Sequence, residues 1–168
     1  MRPSVALRAL RRDDADLVLA FELDNRAWFA RHVSDRGDEW FERFGAHFEA
    51  DLADQAAGTC AFHLMLDDEG RVGGRFNLYG IEPGSARVGY RVAQRIAGRG
   101  RATAGLVELC RIAAREHAVH HLSAATSDLN VASTRVLLKA GFIAVGAADP
   151  ADLGGKTGRE YRRDLANE

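Results

Sequence analysis

Between Thr59 and Val92 the spacing of apolar residues changes period, and this limits the folds open to the chain more than any other feature. Upstream, Trp40, Phe44, Phe48 and Leu52 recur at i+4, which predicts one helix from about Asp38 to Gln55. Downstream, the stretches 59–66, 71–79 and 86–92 are β-rich, and turn sequences separate them: Asp67-Asp68-Glu69-Gly70 and Glu82-Pro83-Gly84-Ser85. Three consecutive strands joined by short turns predict an antiparallel meander.

The rest of the chain is arranged around that meander. Residues 5–10 read as a first strand. Asp13 reads as an N-cap with Asp16 in the first turn, opening a helix through Leu17 and Phe21 to about Trp28. After the meander, 103–117 reads as a helix with Leu106, Leu109, Cys110 and Ala113 inward, and 121–126 as a strand. Residues 130–140 follow as a helix stopped by Gly141 in the left-handed position, and 142–145 and 159–164 as a closing strand pair. The order is β-α-α-β-β-β-α-β-α-β-β, an α/β fold with a mixed sheet. At 168 residues the chain is sized for one domain, 1–168.

A hydrophobic fraction of 46% with 28% charged residues fits a soluble folded protein. No run approaches the ~20 apolar residues that cross a bilayer, and the arginine-rich start lacks the apolar core of a secretion signal. Cys60 and Cys110 lie in apolar runs at no metal-ligand spacing, and read as buried, reduced thiols in a cytoplasmic protein. A net charge of −1 gives no support for nucleic-acid binding. The charge is segregated, however. Residues 87–115 hold seven arginines against one acid, and 35–54 hold seven acids against two arginines. Either these are two solvated faces, or an anionic ligand binds on one side and a cationic one on the other.

Ala97-Gly98-Arg99-Gly100-Arg101-Ala102-Thr103 joins the meander's last strand to a helix. Glycines at a helix entry let backbone amides approach an anion, and the free N–H groups and dipole of the first turn favour phosphate. The alternative is an ordinary glycine loop with exposed arginines. A dinucleotide fingerprint fails because its third glycine position is Thr103, so a nicotinamide-dependent enzyme is disfavoured. Gly155-Lys156-Thr157 resembles the tail of a P-loop, but Pro150 stands at the required glycine and no helix follows; it reads as a hairpin turn.

Asn130-Val131-Ala132-Ser133-Thr134-Arg135-Val136-Leu137-Leu138-Lys139-Ala140-Gly141-Phe142 is the second informative segment. With the glycine loop, it closely resembles the GNAT superfamily of acyl-CoA-dependent N-acetyltransferases. The form N-x-x-S-x-x-V-L-x-K-x-G-F, and Asn25-Arg26-Ala27-Trp28-Phe29 near the start, are similar to the ribosomal-protein N-acetyltransferase (RimJ and RimL-like) branch. The resemblance covers nearly the whole chain. It implies a GNAT-like fold whose fourth and fifth strands splay, with the pantetheine arm of acetyl-CoA lying along Tyr90, Arg91, Val92 and Ala93 and no metal. The Val92 amide would polarise the thioester carbonyl. Ala97, Gly98, Arg99, Gly100, Arg101, Ala102 and Thr103 would hold the pyrophosphate, and Asn130 would touch the pantetheine.

The implied reaction is direct attack of a primary amine, from a peptide or protein N-terminus or a small molecule, on the thioester. The family's general-acid tyrosine falls at Leu137, which has no proton to give. Ser133, one turn earlier, is the substitute donor to the sulfur, although a hydroxyl there reads equally well as a helix cap. A carboxylate found in some members corresponds to Arg87, and Glu82 lies at the wrong end of its strand, which leaves catalysis by positioning open. The departures at Leu137 and Arg87 keep a second reading open, a non-catalytic acyl-CoA-binding or regulatory domain. A homodimer would suit the family.

His117, His120 and His121 read as helix-end residues without ligand partners, and His63 as a packed core residue. Trp28, Phe29, Trp40, Phe41 and Phe44 read mostly as core, with one or two walling the acceptor site by analogy. Asp35, Asp38, Glu39 and Glu42 lie in the same region. They suit either a cationic acceptor, such as a peptide N-terminus or a polyamine, or a solvated acidic helix.

Overall fold

The computed structural model describes residues 4–166. In chain order the elements are β1 (Arg8–Ala9), α1 (Ala15–Asp24), α2 (Arg26–Ala30), α3 (Asp38–Glu42), α4 (Phe44–Ala57), β2 (Ala61–Leu66), β3 (Val72–Glu82), β4 (Gly84–Val92), α5 (Arg101–His117), β5 (Val119–Ser127), α6 (Val131–Lys139), β6 (Ile143–Ala147) and β7 (Gly158–Asp164). They build one seven-stranded sheet, ordered β1-β2-β3-β4-β5-β7-β6. Every neighbouring pair is antiparallel except β4 and β5. The expected meander is β2-β3-β4.

Strand alternation sends side chains to two faces, and each face has its own core. Phe76, Leu78 and Leu122 meet α5, whose Leu106, Leu109, Cys110 and Ala113 are fully buried as the periodicity predicts. Phe62 and Leu64 meet α1, α2 and α4 through Val18, Phe21, Phe29, Phe44 and Phe48. Helix α5 comes close to the sheet because position 105 is glycine: a Cβ there would overlap the Phe76 ring. Phe76 is in turn stacked on Tyr90, ring centroids 6.0 Å apart.

Several boundaries differ from the sequence reading. The first strand shrinks to Arg8–Ala9, paired with Leu64 and His63. Asp13 does not cap α1; a 3-10 turn over Arg12–Asp14 precedes the helix. Asp14, 3% exposed, accepts from the Arg8 guanidinium at 2.8 and 2.9 Å and from the Arg11 amide at 2.7 Å. The first long helix divides at Asn25 and the second at Arg43, where the backbone leaves helical geometry. Gly155-Lys156-Thr157 is not a hairpin turn but part of a longer connection, 148–157. A 3-10 turn over Pro150–Leu153 opens it, and Gly154 and Gly155 follow at positive φ.

Candidate active site

The parallel ladder between β4 and β5 pairs only Gly84 with Val119 and 85–87 with 121–123. Beyond Arg87, β4 stays with β3 as far as Val92↔Gly74, and β5 stays with β7 as far as Ser127↔Gly158. The two strands therefore part, and the start of α6 lies against the opening. The result is a cleft of two lobes, about 380 and 640 Å³, with Tyr90, Asn130, Ser133, His32 and Val33 lining both.

The backbone of β4 presents polar groups to this opening. The Ala93 amide donates to Gly73 O at 2.8 Å, toward β3. Alternation along a strand turns both polar groups of Val92 to the other edge, toward β5. The Val92 carbonyl accepts from the Trp28 indole at 3.3 Å, which leaves the Val92 amide as the donor directed into the splay. Asn25 fixes the same strand end: its Oδ1 accepts from the Gln94 amide at 3.0 Å while its Nδ2 donates to Phe21 O. The division between α1 and α2 is thus the point where this helix pair is fastened to the end of β4.

Across the cleft, Asn130 caps α6 by accepting from the Ser133 amide at 3.2 Å. Ser133 is therefore not the cap. Its hydroxyl lies 2.9 Å from that of Tyr90. Burial pushes the Tyr90 phenol up to about 12, against the pull of its bond to Ser133, so it keeps its proton through the neutral range. Leu137 is 1% exposed and contributes an apolar wall.

In the glycine loop, Gly98 and Gly100 have φ of 76° and 73°, and α5 starts at Arg101 with no side-chain cap. A Cβ at either glycine would meet nothing within 4 Å, so backbone conformation, not space, demands glycine. The residues expected to hold a cofactor are not all in one place. Tyr90, Arg91, Val92, Ala97, Gly98, Ala102, Asn130 and Ser133 line the larger lobe. Arg99 and Arg101 line a neighbouring depression with Arg71 and Asp67, where Arg95 is bound to Asp67 at 2.9 Å. Gly100 and Thr103 line a third, with Val107, Arg111 and Lys139. Ala93 is fully buried.

The outer wall comes from two connections. His32, Val33 and Ser34 follow α2, and Asp152, Leu153, Gly154 and Lys156 precede β7. The connections meet where Gly154 packs on Ser34 so closely that a Cβ would overlap its hydroxyl. None of Asp35, Asp38, Glu39 and Glu42 lines either lobe of the cleft. Arg26 binds Asp35 at 2.7 Å and Asp38 at 2.8 Å, and Arg43 lies 3.8 Å from Glu39. Arg87 pairs with Glu160 at 3.1 Å. His63 is buried with Nδ1 3.3 Å from Phe76 O, and burial pushes its pKa down. His121 lies 2.7 Å from Asp164.

Beneath the cleft, Glu22, 1% exposed, binds Arg36 and Arg75 at 2.9 Å each and Arg91 at 3.4 Å. Sequence reasoning missed this cluster, the Tyr90 phenol and the Trp28 indole as site groups. Their partners lie 14 to 69 residues away, and only the sharing of Asn25-Arg26-Ala27-Trp28-Phe29 with the resembled family pointed near them.

Residues 4–143 match the family described as "Acetyltransferase (GNAT) domain". Solved structures with the same fold include the ribosomal-protein-S5-alanine acetyltransferase from Vibrio fischeri (TM-score 0.87, 18% identity, 96% of this chain and 93% of that one covered). Mycobacterium smegmatis RimJ in complex with CoA-disulfide is similar (TM-score 0.84, 22% identity, 95% and 81% covered). So is the microcin C7 self-immunity acetyltransferase MccE in complex with acetyl-CoA and AMP (TM-score 0.81, 15% identity, 94% and 92% covered). No curated protein matches the sequence.

Proposed function

This chain belongs to the GNAT acetyltransferase family, and on that premise we propose that it moves an acetyl group from acetyl-CoA to a primary amine by direct attack on the thioester. One observation carries the reading: the Val92 backbone edge and the Tyr90–Ser133 hydroxyl pair line one cleft. It offers a donor for the thioester oxygen and a donor for the sulfur. The pantetheine arm runs along 90–93 and past Asn130. The amides of 97–103 take the pyrophosphate at the start of α5, where first-turn N–H groups lack acceptors within the helix. Arg99 and Arg101 add positive charge beside them.

The neutral amine adds to the carbonyl carbon, and the negative charge that gathers on oxygen is met by the Val92 amide. The tetrahedral adduct then collapses, the C–S bond breaks, and Ser133 supplies a proton to the leaving thiolate. Tyr90, still protonated, restores the Ser133 proton in the same movement. The proton lost by the amine returns through water to the Tyr90 oxygen, so both hydroxyls end the cycle protonated, and the cleft contributes chiefly by holding amine and thioester together. The acceptor is a peptide or protein N-terminus or a small amine. We place the reaction in the cytoplasm, in keeping with the sequence reading.

Calorimetric titration with acetyl-CoA, followed by assay of thiol release across a panel of amines, tests this reading. Micromolar binding and amine-dependent release are expected. Absence of acetyl-CoA binding to folded protein would overturn it.

A further inference from the structure

The acidic segment after α2 invites the idea of a cationic acceptor, yet the charged side chain that lines the larger lobe, Arg91, has the opposite sign. Asp35 and Asp38 are both bound by Arg26. Below the cleft, three guanidiniums, of Arg36, Arg75 and Arg91, meet two carboxylates, of Glu22 and Asp51. Burial raises the Asp51 pKa, which weakens its share of the compensation. The Glu22 oxygens are already taken: Arg36 binds both, at 2.9 and 3.1 Å, and Arg75 binds Oε1 at 2.9 Å. Arg75 Nε, in a residue 4% exposed, finds no acceptor among the described residues.

Arg91 is the least satisfied member and the one that lines the cleft. Its one side-chain hydrogen bond among the described residues is the 3.4 Å contact to Glu22 Oε2, and its guanidinium lies over the Phe29 ring, 4.9 Å from the centroid. Both residues line the larger lobe, as do Trp28 and Val92. Burial, with the nearby Arg36 and Arg75 charges, pulls the Arg91 pKa down to about 10, the mark of a cation that its neighbours do not neutralise. Asp152 belongs to the other lobe, and Lys156 lines that lobe beside it.

We propose that the acceptor is an amine carrying a carboxylate, and that Arg91, which lines the larger lobe with most of its N–H donors unused and is held by Phe29 and Glu22, receives that carboxylate. A guanidinium presents paired N–H groups that match a carboxylate's two oxygens, and in a half-buried site such a pair discriminates strongly against an uncharged isostere. This rests on the acetyl-transfer reading and narrows its acceptor class.

The test is binding of matched probes to the protein loaded with desulfo-CoA, read by calorimetry. One pair is the Ser-Glu and Ser-Gln dipeptide amides, and the other is γ-aminobutyrate and its amide. The carboxylate member of each pair is expected to bind at least about tenfold tighter. In Arg91→Gln that ratio should fall to about twofold or less, and Arg91→Lys, which keeps the charge but not the fork, should fall between. Equal binding within pairs, a preference that survives Arg91→Gln, or no binding by any probe overturns the proposal. The acetyl-transfer reading fails separately, only if desulfo-CoA and acetyl-CoA do not bind.

Discussion

The Ser133 hydroxyl sits at the third position of α6 and yet takes no part in capping it, because Asn130 already accepts the Ser133 amide. With its 2.9 Å contact to Tyr90, the hydroxyl is directed into the cleft and stays hydrogen-bonded. Ser133→Ala should lower kcat about 100-fold with little change in KM for acetyl-CoA, as thiol release under saturating acceptor would show. Tyr90→Phe keeps the ring stacked on Phe76 and should lower kcat less. The double variant should be no worse than Ser133→Ala alone, because both act through one proton path. Ser133 was legible from its motif. The phenol of Tyr90 was not: sequence shows it as one more residue of a β-rich run. Its partner is 43 residues away on a helix whose approach depends on where β4 and β5 part.

Among the elements, the meander and α5 follow directly from local period, and their boundaries move by only a few residues. The breaks at Asn25 and Arg43 do not. The i+4 run Trp40, Phe44, Phe48 continues straight across Arg43, and the helix before Asn25 ends because Asn25 is fastened to the Gln94 amide. A helix of period 3.6 carries no mark of such a tertiary fastening. Asn25→Ala would leave the Gln94 amide without its acceptor, while Phe21 O keeps the backbone amide of residue 25, and should cost about 1 kcal/mol in denaturant unfolding. Gly105, inside a helical run, signals by its identity that α5 runs close to something. The structure supplies the Phe76 ring. Gly105→Ala should destabilise by about 1–3 kcal/mol, since Phe76 is fully buried and backed by Tyr90.

For the molecule as a whole, Glu22 ties α1, the α2–α3 connection, β3 and β4 together through its three arginines. Although burial alone would raise its pKa, hydrogen bonding and attraction to Arg36, Arg75 and Arg91 hold it below the ordinary carboxylate value. A carboxylate with a depressed folded pKa contributes stability that is present above its unfolded pKa, about 4.3, and is lost as pH falls through the folded value. Asp14, also depressed, acts in the same direction, and Asp51, raised by burial, acts against it. Glu22→Gln should therefore lose about 3–5 kcal/mol at neutral pH and show a shallower acid limb when unfolding is followed from pH 7 to pH 3. Acetyl-CoA at a hundredfold excess over its Kd should raise the melting temperature by about 5–10 °C. The parting of β4 and β5 has a wider consequence. An unpaired strand edge at the rim of a sheet recruits other chains, and here the two rims are β1, only two residues long, and β6. The splay creates a further pair of edges in the sheet's interior, roofed where Gly154 meets Ser34. Backbone donors placed there discriminate by girth: a slender chain can thread between the strands and bond to them, whereas a strand belonging to another folded sheet is too broad to enter. What would be an aggregation hazard at the margin becomes a size filter at the centre.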